Sequence, residues 1–162
     1  MTDITVQNPE TEQAQPTFAI QRVFLQGQSL ELPAGSQVFL DTNPATMNLN
    51  LQVVSAVLEE GVYEVSLRAT LTAEVNSKIQ FLLETAQAGI FDIRNVEPSQ
   101  LADILEIGAP SILAPYLRAQ LSDTLTRATL PMFLMPEINW PALAMQRRAE
   151  LAAAQGTTAT RH

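Results

Sequence analysis

The chain has no cysteine. That excludes disulfide staples, thiolate nucleophiles and cysteine-ligated zinc. Histidine occurs once, as His162 in the last position, so neither the usual general base nor a Ser-His pair can be held in place. Lysine also occurs once, as Lys78, and no glycine-rich phosphate loop accompanies it. The remaining metal ligands are carboxylates. Asp103 and Glu106, spaced i, i+3 on a predicted helix, read as a solvated face, because two carboxylates alone hold Mg²⁺ poorly. No cofactor and no enzymatic activity are expected. No apolar run approaches the ~20 residues that span a bilayer, so no membrane insertion is expected. Nothing ahead of Arg22, the first positive side chain, resembles a secretory h-region, and the expected compartment is the cytoplasm. Charge is sparse, at 16% of residues against the usual level of about 25%. Apolar surface beyond a single core is therefore expected, as a subunit interface or a binding groove. The net charge of −8 argues against nucleic acid and favours basic partners.

What is present is a strong period-2 signal. From Tyr63 to Val75 the odd positions are Tyr, Val, Leu, Ala, Leu, Ala and Val, and the even positions are Glu, Ser, Arg, Thr, Thr and Glu. Side chains on a strand alternate between faces, so one face is apolar and the other wet, as in an antiparallel meander covered on one side. A preceding strand starts near Met47 and runs to about Leu58, with a turn at Glu59-Glu60-Gly61. Asn76-Ser77 makes the next turn, and a further strand runs over 78–87. On it Ile79, Phe81, Leu83, Thr85 and Gln87 share one face, and Gln80, Leu82, Glu84 and Ala86 the other. The first strand covers 17–25 and resumes at 29–32. The connection 32–44 reads as too broken by Pro33, Gly35 and Pro44 for an element, yet it carries Val38, Phe39 and Leu40, which should lie against something apolar.

After Pro98 the stripe Leu101, Ile104, Leu105 and Gly108 predicts a helix, which Gly108, Pro110 and Pro115 should interrupt. A helix over 111–128 aligns Leu113, Leu117, Leu121 and Leu125 on one face, widened by Ile112 and Tyr116. The proline-bracketed segment Met132, Phe133, Leu134 and Met135 is either a core plug or a compliant binding wall. A last helix starts with Asn139 as N-cap and ends at Gly156. The expected organisation is a tail at 1–16, one domain at 17–155 and a tail at 156–162.

Four segments together carry a resemblance: Phe18-Ala-Ile-Gln-Arg-Val23, Gly61-Val-Tyr-Glu-Val-Ser-Leu-Arg-Ala-Thr70, the stretch from Phe81 through the Gly89-Ile-Phe91 turn, and Pro110-Ser-Ile-Leu-Ala-Pro-Tyr116. They resemble the protein-export chaperone family SecB over about 17–155. The resemblance implies an α+β fold, a four-stranded antiparallel sheet with helices packed on one face, assembling as a dimer of dimers. It implies an ATP-independent chaperone that binds unfolded preproteins, keeps them translocation-competent and delivers them to the SecA ATPase for export across the inner membrane. By position it implies SecA docking at Glu31, Leu82 and Glu84. It implies a client groove at Val38, Phe39, Leu40, Met132, Phe133, Leu134 and Met135. Leu83, Thr85 and Gln87 fall at its tetramer positions, to which the stripe Leu117, Leu121 and Leu125 is added as core or subunit interface. Gly27 stands where an acidic docking residue is common. A SecB-like chaperone controlling a toxin-antitoxin system and a purely structural homo-oligomer are the alternative readings.

Overall fold

The computed structural model describes residues 14–158. Most of the two expected tails, 1–13 and 159–162, lies outside the described residues. The strands are β1 (Thr17–Glu31), β2 (Thr46–Glu59), β3 (Val62–Val75) and β4 (Lys78–Arg94). They form one antiparallel sheet in the order β1-β4-β3-β2. The two hairpin turns fall where expected. Gly61 supplies a φ of +75°, and Asn76 and Ser77 both adopt positive φ, the geometry that matches a tight hairpin to the twist of its strands.

Three expectations about the strands need correcting. β1 is one strand, not two. Its register shifts between Ile20 and Arg22 and between Leu25 and Gly27 absorb the extra residues that had broken the pattern. The connection after it holds a 3-10 helix, Gly35–Phe39, opened by Gly35 at φ +58°. β4 runs seven residues beyond Gln87, so Gly89-Ile90-Phe91 is mid-strand and not a turn. Glycine there reads as a breaker, yet the packing demands it. A Cβ on Gly89 would stand 2.8 Å from Phe91 Cε2 and 3.2 Å from Leu113 Cδ2. Gly89→Ala is accordingly expected to destabilise the fold by about 1–3 kcal/mol, the usual cost of overpacking a core, as measured by urea unfolding.

The apolar parity of β3 and β4 meets the helices. Val65, Leu67, Leu71, Leu83 and Phe91 are fully buried beneath Leu113, Leu117, Leu121 and Leu125. Ile79 departs from the expected parity. A register shift between Ala73 and Glu74 turns it outward to exposure and leaves Gln80 buried. The helical run is also continuous where interruption was expected. α1 (Pro98–Asp103) passes through a π-helical turn, Ile104–Gly108, into α2 (Ala109–Arg127). The Ala109 N–H reaches the Ile104 carbonyl, and this wider turn accommodates Pro110, which has no N–H to donate. Pro115 sits on the solvent side of α2, whose leucine stripe holds the helix together despite the lost bond. Tyr116 is half-exposed and does not widen that stripe. Asn139 does cap α3 (Trp140–Thr158), its Oδ1 accepting from the Ala142 N–H at 3.0 Å. α3 runs past Gly156, against the expected end.

Candidate functional site

The sheet face turned away from the helices is polar. Register places Glu31 directly opposite Leu82, and Glu84 between Ser29 and Thr70. The structure thus brings Glu31, Leu82 and Glu84 into one patch at one end of that face. Glu31 and Glu84 are exposed and Leu82 is half-buried. Beside them is a depression of about 440 Å³ floored by Gly27 and Ala86 and rimmed by Arg68, Thr70 and Glu84. Gly27 lies directly opposite Ala86, and a Cβ added to it would meet nothing within 4 Å. The missing acidic side chain therefore leaves open space and not a collapsed surface.

A second site forms at the end of the sheet where two loops meet. Val38 from the 3-10 helix and Pro131 from the segment after α2 line one cavity of about 200 Å³, with Ala73, Val75 and Phe81 behind it. Around it Phe39 (51%), Leu40 (73%), Met132 (79%) and Leu134 (68%) are exposed. These apolar side chains stand on fixed backbone. Arg118 donates from Nε to the Met135 carbonyl at 3.1 Å and from Nη2 to Glu137 Oε1 at 2.9 Å. Thr129 turns the chain with a φ of +57°, and the Leu130 N–H closes onto the Leu125 carbonyl. Three of the predicted groove residues behave differently. Val38 and Phe133 are half-buried against the core, and Met135, at 2% exposure, belongs to the core and adds no area to the trough.

The residues expected at a subunit interface are not surface. Leu83, Thr85, Gln87, Leu117, Leu121 and Leu125 are all buried between β4 and α2 of the same chain. An i, i+4 leucine ladder opposite an apolar strand face is satisfied first by the nearest such face, which is intramolecular here. Thr85 Oγ1 and Gln87 Oε1 have no hydrogen-bond partner among the described residues. Nearby, Gln28 Nε2 donates to Thr124 Oγ1 at 2.7 Å, so the helix-sheet layer carries a polar inset. On the helix side of the sheet, exposed apolar side chains lie on both edge strands: Phe18, Ile20 and Leu25 on β1 and Val57 on β2. The Phe18 ring is 5.8 Å from that of Phe91.

A groove of about 710 Å³ runs between β2 and α3, with Leu49, Leu51 and Val53 on one wall and Ile138, Leu143 and Arg147 on the other. The odd-position alternation of β2 signalled the first wall; nothing in the pattern linked it to α3. Asp103 and Glu106 lie on a solvated helix face as expected, Asp103 exposed and Glu106 half-buried, and from there they also grip α3. Arg148 Nη2 donates to Asp103 Oδ1 at 2.8 Å, and Nε to Glu106 Oε2 at 2.6 Å. The hydrogen bonds that Arg148 donates to Asp103 and then to Glu106 raise its pKa further above its ordinary value. Among the described residues no cluster of His, Cys, Asp and Glu could hold a metal ion, and no helix is long and apolar enough to cross a membrane.

The model of the family described as preprotein translocase subunit SecB matches residues 11–151. The chain is 43% identical over 145 residues to the protein-export protein SecB of Burkholderia lata, covering 90% of this chain and 91% of that protein. It is 40% identical over 147 residues to the protein of the same name from Methylobacillus flagellatus, covering 91% and 94% respectively. Among solved structures, the SecB-like chaperone of Mycobacterium tuberculosis, determined with a peptide from an antitoxin, matches with a TM-score of 0.61 at 15% identity. That match covers 75% of this chain and 88% of the other, and is a likeness of fold.

Proposed function

The chain belongs to the SecB family, and on that premise we propose that it is a cytoplasmic export chaperone. It binds unfolded preproteins without ATP, keeps them translocation-competent and passes them to SecA. It is not an enzyme, and its chemistry is burial and release. The observation that carries this reading is a division of surfaces. Phe39, Leu40, Met132 and Leu134 present exposed apolar area on held backbone at one end of the sheet. Glu31, Leu82 and Glu84 form a separate acidic patch on the opposite sheet face. Guest and motor can thus be engaged at once.

At about 25 cal/mol per Å², covering ~400 Å² of apolar guest surface is worth on the order of 10 kcal/mol before ordering costs, and the net is far smaller. One segment binds weakly. Several segments of one guest, wrapped over several subunits, gain through effective concentration. The assembly we propose is a homotetramer, a dimer of dimers. Exposed Phe18, Ile20 and Leu25 on the β1 edge supply apolar area for it, in place of the interior residues Leu83, Thr85, Gln87, Leu117, Leu121 and Leu125.

The direct test is titration with a denatured secretory precursor, with and without SecA. Retarded aggregation, and release on adding the motor, are expected; a folded protein that leaves aggregation unchanged would refute the reading. Glu84→Lys is expected to weaken SecA binding about five- to tenfold at low salt, less at high salt, because exposed charge pairs are screened. Guest capture should be unchanged. Equal SecA affinity for variant and parent would remove Glu84 from the docking patch.

A further inference from the structure

β2 is an edge strand, so the backbone groups on its outer side have no strand partner among the described residues. One of them is nevertheless taken. Arg147 Nη1 donates to the Val53 carbonyl, reaching from α3 across the groove walled by Leu49, Leu51, Val53 and Leu143. A cation that hydrogen-bonds an edge carbonyl occupies the place that the amide of an added strand would take. The helix that carries Arg147 is itself clasped one residue on, where Arg148 binds Asp103 and Glu106. Otherwise α3 is seated by Trp140 and Ala144 near its start, and further along Arg148 and Leu151 are exposed. The contact is therefore made by a helix docked at one end and pinned by exposed, screenable ion pairs.

We propose that Arg147 is an internal competitor for guest backbone: it caps the β2 edge at Val53, and an extended segment adds to this edge only after that contact opens. The inference rests on the guest-binding reading and specifies how one part of the surface is controlled. A site available in only a fraction of molecules binds with an apparent affinity reduced by that fraction. Removing the cap should therefore tighten binding, whereas removing an ordinary contact would weaken it.

The test uses the full-length protein and a short fluorescein-labelled peptide alternating leucine with serine, alongside the same peptide N-methylated at alternate residues. Arg147→Met keeps the aliphatic stem in the groove and deletes the donors. It is expected to bind the unmodified peptide about fivefold more tightly than the parent, the scale of one ordinary net hydrogen bond, with no gain for the N-methylated peptide. Arg148→Gln should shift affinity in the same direction and flatten its salt dependence. Equal or weaker binding by Arg147→Met would overturn the competitor while leaving guest binding intact. Binding to neither protein would overturn both readings. Should Arg147→Met lose helix content by circular dichroism, deuterium uptake in the parent decides. α3 must exchange faster when the peptide is added, and unchanged uptake refutes the opening.

Discussion

Replacing Leu83 with Asp is expected to abolish the folded subunit, not merely to divide an oligomer. Leu83 is completely buried, paired across the sheet with Leu71 on one side and Leu30 on the other, and roofed by the leucines of α2. The cluster around it is built of apolar side chains. An unpaired charge in such a place either stays ionised at great cost or takes up a proton and still leaves a polar group without a partner. With the lost leucine packing, the penalty is about 5 kcal/mol or more, comparable with the whole stability of about 5–15 kcal/mol of a typical domain. Near-ultraviolet circular dichroism and a thermal scan would show no cooperative transition. Recovery of a folded, smaller species by sedimentation would return this position to a subunit interface. Leu83→Ala, at about 2–5 kcal/mol, is the milder version and should fold at low temperature.

The largest functional effect is expected from the exposed trough. Changing Phe39, Leu40, Met132 and Leu134 together to serine should lower affinity for a denatured precursor by about 100-fold or more. Fully burying each such side chain is worth roughly 1.5–3 kcal/mol, and part of that is recovered on binding. Stability should barely move, since substitutions of exposed side chains usually fall within about ±0.5 kcal/mol each. The check is paired: precursor binding by fluorescence anisotropy, and melting temperature on the same samples. Undiminished capture by a stable variant would place the guest surface elsewhere on the subunit.

The sheet was largely legible. Two-residue alternation from Tyr63 to Val75 marked the apolar face of the sheet; Glu31 came from the resemblance, and its pairing with Leu82 is visible only in the structure. The far half of β4 was hidden because Gly89 carries no side chain to continue the pattern, and its reason for being glycine, the Phe91 ring, is visible only in three dimensions. The continuous helix was hidden for a related reason. Pro110 forbids one hydrogen bond but not a wider turn, and the sequence does not show which the chain will adopt. Leu117, Leu121 and Leu125 had to be buried by something; periodicity cannot say whether the covering surface is the chain's own. Met135 and Leu134 are neighbours with opposite fates, because an extended loop alternates its side chains as a strand does. Arg147 and Arg148 read as ordinary surface cations, since their partners lie 94 residues away for Arg147 and 45 and 42 away for Arg148.

With guests seated on the trough as proposed, the grip of Arg118 on the carbonyl of Met135 and the carboxylate of Glu137 fixes which party to an encounter must be pliant. A rail whose shape is settled in advance loses little freedom when occupied, so the entropic toll of complex formation falls on the incoming polypeptide. Such a host discriminates by the floppiness of what it meets. A compact globule, unable to drape itself over the rail, is turned away without any reading of its sequence.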